Sequence, residues 1–169
     1  MGRGLSVCRF STSLSKMAWL QQLTALQPSL RCYSAGMNPH ESAFAESFIS
    51  KARRGRALEL LASSKNRQKF TSKFDHHGRD CFIPECVRSI EPRHQHPPSI
   101  ADMLRALGAP ETCHVIGGEK DGKDMELLTA LKQIVGYGTG TVLSCIPGKL
   151  AYFEGEIRER FLLVRIKGI

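Results

Sequence analysis

Three apolar runs in quick succession near the C-terminal end constrain the fold more than any other feature. They are Thr139–Ile146, Lys149–Glu154 and Arg160–Ile166. Each is short, rich in β-branched or aromatic residues and bounded by turn residues, which is the pattern of strands. Pro147-Gly148 separates the first two, and Gly155 lies between the second and third. Connections this short join antiparallel neighbours, because a parallel pair needs a crossover of roughly a dozen residues or more.

Upstream, the periodicity becomes helical. Ser99 followed by Asp102 is a capping-box variant, and Ile100, Met103, Leu104 and Leu107 form a stripe that Gly108 ends. Thr112–Ile116 reads as a buried strand, with a polar turn over Gly117–Lys123. Residues 124–135 carry a second stripe through Leu127, Leu128, Leu131, Ile134 and Val135, stopped by Gly136. Residues 42–62 read as one helix with Phe44, Phe48, Leu58 and Leu61 inward. A shorter helix, capped by Ser63 or Ser64, follows through Phe74. Residues 75–98, broken by Pro84, Pro92, Pro97 and Pro98, read as a polar loop with room for a short strand at Cys81–Ile83 or Val87–Ile90. The expected fold class is α+β: an N-terminal basic helical hairpin, then a small, largely antiparallel sheet with two amphipathic helices packed on one face. The expected divisions are 1–33, 34–74, 75–98 and 99–169.

The segment before this fold has a different composition. Arg3, Arg9, Lys16 and Arg31 precede the first acid, Glu41, and lie among many serines. Leu14, Met17, Leu20, Leu23, Leu26 and Leu30 recur at helical spacing. An Arg- and Ser-rich, acid-poor amphipathic start is the composition of an organellar transit peptide. Arg31-Cys32-Tyr33-Ser34 resembles a site for the mitochondrial processing peptidase. The expected location is the mitochondrial matrix, with import and processing machinery as partners of residues 1–33. The alternatives are a bacterial-type cytosolic protein starting at Met37, and plastid import. No stretch reaches the roughly 20 consecutive apolar residues of a membrane span.

Charge is polarised along the remainder. The chain carries +8, of which residues 1–33 supply four cations and no acid. Lys51, Arg53, Arg54, Arg56, Lys65, Arg67, Lys69 and Lys73 are opposed between residues 50 and 74 only by Glu59. From residue 75 onward, 12 cations meet 13 acids. Such a concentration on one element is the electrostatic footprint of a phosphate-backbone binder; its bland counterpart is a solvated helix face.

Two sets of residues suggest other chemistry. Cys81, Cys86, His94 and His96 offer thiolates and imidazoles for zinc, although a His-x-His pair does not suit a finger helix. No other cofactor is expected, and idle thiols in a reducing compartment are the favoured reading. Cys145 is a candidate nucleophile, with His114 as its base if their strands pair in suitable register. Alternation places Ser144 and Cys145 on opposite faces of their strand. The expected function is therefore non-catalytic binding of a macromolecule, RNA or a ribonucleoprotein, through the basic hairpin. One alternative is a small Cys/His-dependent or metal-dependent enzyme such as a hydrolase. Another is a structural protein–protein interaction domain whose basic helix meets an acidic protein surface.

Overall fold

A computed structural model describes residues 37–137, 140–156 and 159–165. The expected targeting segment lies outside the described residues. The described residues belong to one compact unit.

The described residues begin with three helices. Helix α1 (Pro39–Phe48) opens with the Asn38 side chain accepting from the His40 N–H at 2.8 Å and with Pro39 in the first turn. The single helix expected over 42–62 is instead two, because the chain turns extended at Ile49. There Ile49 forms an antiparallel bridge with Phe82, the Ile83 N–H donates to the Phe48 carbonyl at 2.8 Å, and the Ser50 N–H donates to that of Cys81 at 2.9 Å. Helix α2 (Lys51–Leu61) and helix α3 (Arg67–Cys81) then form the basic hairpin.

Helix α3 runs past the expected stop near Phe74 into the segment read as loop. Buried Gly78 permits this run beneath the sheet, since a Cβ there would lie 2.3 Å from Cζ of Phe153. The same segment also supplies strand β1 (Val87–Ser89). Helix α4 (Pro97–Ala106), strand β2 (Thr112–Ile116) and strand β3 (Asp124–Glu126) follow. Residues 124–126, expected as the start of a helix, extend the sheet by pairing with β2. Helix α5 (Leu127–Ile134) begins only after Glu126, whose carboxylate caps it by accepting from the Leu128 and Thr129 N–H groups at 3.0 and 2.6 Å. Strands β4 (Thr141–Ile146), β5 (Leu150–Glu154) and β6 (Arg160–Val164) complete the described residues.

The protein is α+β. Among the described residues six strands form one sheet in the order β1-β6-β5-β4-β2-β3, and every neighbouring pair is antiparallel. Alternate residues of the central strands go to opposite faces, as strand geometry requires. Ile116, Val142, Phe153, Phe161 and Leu163 join Phe44, Phe48, Leu60, Phe70 and Phe82 beneath α1–α3. Val115, Leu143, Tyr152 and Leu162 join Ile100, Leu104, Leu127 and Leu131 beneath α4 and α5. The first layer is aromatic: Phe82 meets Phe153 edge-on at 5.0 Å, and Phe153 stacks with Phe161 at 6.1 Å. Among the described residues, no helix is long and apolar enough to cross a membrane.

Candidate nucleic-acid interface

The eight cations between residues 50 and 74 fall into two groups. Lys51, Arg53, Arg56, Lys65, Lys69 and Lys73 are exposed, whereas Arg54 and Arg67 are half-buried. Local sequence explains the sorting. In α2 the apolar positions Ala57, Leu58, Leu60 and Leu61 face the core, which leaves the residues between them for solvent. Arg56 pairs with Glu59 at 2.9 Å, an exposed contact worth little. Arg53 donates from Nη1 to Sγ of Cys81 at 3.0 Å, tying α2 to the end of α3. Among the described residues, no ion pair neutralises Lys51, Lys65, Lys69 or Lys73. The result is a concentrated positive surface on two adjacent helices.

Arg67 has a different role. Its Nη2 lies 2.5 Å from Oε1 of Glu41 on α1, and its Nε lies 2.5 Å from Oδ2 of Asp121 in the β2–β3 turn. A further donation reaches the Leu61 carbonyl at 3.1 Å. Its hydrogen bonds to the Asp121 and Glu41 carboxylates raise its already high pKa. Arg67 is thus a clamp between helices and sheet, not a surface cation.

That clamp continues inward. Glu41 is 3% exposed and His114 is 1% exposed. His114 Nε2 lies 3.4 Å from Oε1 of Glu41, and its Nδ1 lies 2.6 Å from Oδ1 of Asp124. Burial favours neutral imidazole, but the bonds to Glu41 and Asp124 together outweigh it and raise the His114 pKa. Burial also opposes the Glu41 charge, but His114 and Arg67 more than compensate and hold its carboxyl below the ordinary value. His40 stands beside this group, its ring centroid 5.5 Å from that of His114 and its Nδ1 2.9 Å from Oγ of Ser144. Burial and the neighbouring His114 lower the His40 pKa against the pull of Asp124 and Ser144.

The proposed nucleophile and base do not meet. Strands β2 and β4 do pair, but the register sets His114 opposite Ser144. Cys145 belongs to the other face, packed in the layer that holds Cys113 and Leu143. Burial pushes the Cys145 thiol up, and Cys113 rises to about 12 for the same reason. Neither is poised as a thiolate. The four cysteine and histidine candidates for zinc have separate partners. Cys81 and Cys86 are buried in the aromatic layer. His94 bonds Ser99 Oγ at 3.2 Å, and His96 caps α4 by accepting from the Ser99 N–H at 3.3 Å. Among the described residues, no group of three or more His, Cys, Asp or Glu could hold a metal ion.

Sequence reasoning missed the Glu41–Arg67–His114–Asp124 network. Its members lie on four separate elements, and Asp121 and Asp124 look like ordinary turn residues in the linear chain. Compared with known proteins, the chain matches no family model, no curated protein and no solved structure.

Proposed function

We propose that this protein binds RNA, or an RNA-containing assembly, through the outer surface of α2 and α3, and that it does so in the mitochondrial matrix. One observation carries the reading: Lys51, Arg53, Arg56, Lys65, Lys69 and Lys73 are all exposed on one helical hairpin, and between residues 50 and 74 Glu59 is the one acid among them. Cations so placed would displace counterions from a phosphate backbone and supply affinity without base selectivity. Arg54 and Arg67, counted with them in the linear sequence, belong to the packing instead.

The test is anisotropy of a fluorescent single-stranded RNA titrated with the full chain at several salt concentrations. Binding should weaken steeply with salt, with a slope of about 0.7 per phosphate neutralised. Changing the six exposed cations together to Gln should remove most of the affinity and flatten the slope while the fold persists. Equal affinity in that variant would overturn the proposal. The address is tested separately: residues 1–40 fused to a reporter should direct it to mitochondria, and a cytosolic reporter would contradict the location.

A further inference from the structure

Between α2 and α3 lies a cavity of about 290 Å³, near the lower end of ordinary ligand pockets. Its floor includes Ile49, Leu60 and Phe70, all buried, and its rim carries the exposed Arg53, Arg56 and Lys73. RNA contact does not call for this combination. A phosphate backbone needs exposed cations but would leave an apolar floor wet. A wholly apolar ligand would fill the floor but strip water from three charges. A molecule with an aliphatic chain and one anionic head satisfies both. Arg53 is also fixed at the groove by its 3.0 Å bond to Sγ of Cys81, itself a lining residue, so the cation is partly preorganised.

We propose that the groove between α2 and α3 binds a free, monomeric amphiphile, a single aliphatic chain of medium length ending in a carboxylate. The chain lies over Ile49, Leu60 and Phe70, and the head meets Arg53 and Lys73. The cavity's size favours one such chain over a folded peptide. This site goes beyond the RNA surface and shares only its groove-side cations; Lys51, Lys65 and Lys69 do not line it.

Calorimetric titration of the full chain with decanoate, below its micellar concentration, tests the assignment. Saturable binding of one molecule is expected, with decanol and decyltrimethylammonium much weaker. Ala52 is an exposed lining residue, so Ala52→Trp should fill the groove without touching a charge. It should weaken decanoate binding by about tenfold or more, as should Arg53→Gln combined with Lys73→Gln, since the carboxylate would then lose both of its cationic partners. Lys51→Gln, Lys65→Gln and Lys69→Gln together should leave decanoate binding unchanged while weakening RNA binding, and Ala52→Trp should leave RNA binding intact. Absence of saturable decanoate binding would overturn the site, as would equal binding by both groove variants. Binding only to vesicles containing anionic phospholipid would overturn it too, by assigning the surface to a bilayer.

Discussion

The two faces of the sheet are built from alternate residues of the same strands, yet they are finished differently. Beneath α4 and α5 the contact is aliphatic, with Ile100, Leu104, Leu127 and Leu131 set against Val115, Leu143 and Leu162. Beneath α1–α3 the contact is aromatic at its centre and ionic at one end, where Arg67, Glu41, His114 and Asp121 close the layer. Lys51, Lys65, Lys69 and Lys73, exposed and without an ion pair among the described residues, also belong to this second side. A neutral amphipathic helix docks on apolar complementarity alone. A helix pair that keeps so many cations in solvent is held in addition by a clamp that uses one of its own arginines. The same residue type thus serves the surface at Arg53 and Arg56 and the interior at Arg67.

The largest effect is expected at that clamp. Arg67→Met takes the guanidinium from Glu41 and Asp121 and leaves buried Glu41 with His114 alone, and breaking a buried pair in this way costs about 3–5 kcal/mol. Urea unfolding should register the loss, whereas Lys65→Gln or Lys69→Gln should scarcely change stability. A stable Arg67→Met protein would show the clamp to be dispensable.

Glycine substitutions sharpen the contrast within the hairpin. Gly78→Ala would set a methyl 2.3 Å from the fully buried Phe153 ring. Overpacking of this kind costs about 1–3 kcal/mol. Gly55→Ala on α2 meets nothing within 4 Å and should instead stabilise the protein by about 0.5–1 kcal/mol. Thermal unfolding should therefore move in opposite directions for the two variants; movement in the same direction would contradict the packing of α3.

The smallest effect is a pH dependence with two opposed contributions. The His114 pKa is raised in the folded protein, so its contribution is complete below the unfolded value of about 6.5 and is lost as pH rises through the folded value. The His40 pKa is lowered, so its contribution is lost as pH falls from about 6.5 through the folded value. Groups facing them include Glu41, Asp124, Asn38 and Ser144. Urea unfolding across pH 5.5–8.5, a window of about three units around the unfolded histidine value, should show the alkaline loss vanish in His114→Gln and persist in His40→Gln. The reverse pattern would exchange the two roles.

Much of this architecture was legible in the linear chain. Thr112–Ile116 appears as the buried strand expected before the polar turn, and the strands around Pro147-Gly148 are antiparallel as so short a connection demands. The break at Ile49 was not legible, because its cause is Phe82, a bridge partner distant in sequence. Nor was the strand at 124–126, since Asp124, Met125 and Glu126 suit a helix start as well as an edge strand. The basic surface could be read as a count, but the count could not separate Arg67 from its neighbours. That distinction depends on Glu41 and Asp121, which the fold brings to it from two other elements.

The central claim is that phosphate meets the outer surface of α2 and α3 and not the opposite side of the sheet. Amide hydrogen exchange of the full chain, with and without a single-stranded RNA, compares the two sides directly. Protection concentrated over residues 51–73, with α4 and α5 unchanged, is the expected result. Protection centred on α4 and α5, or no change over 51–73 at saturating RNA, would contradict it.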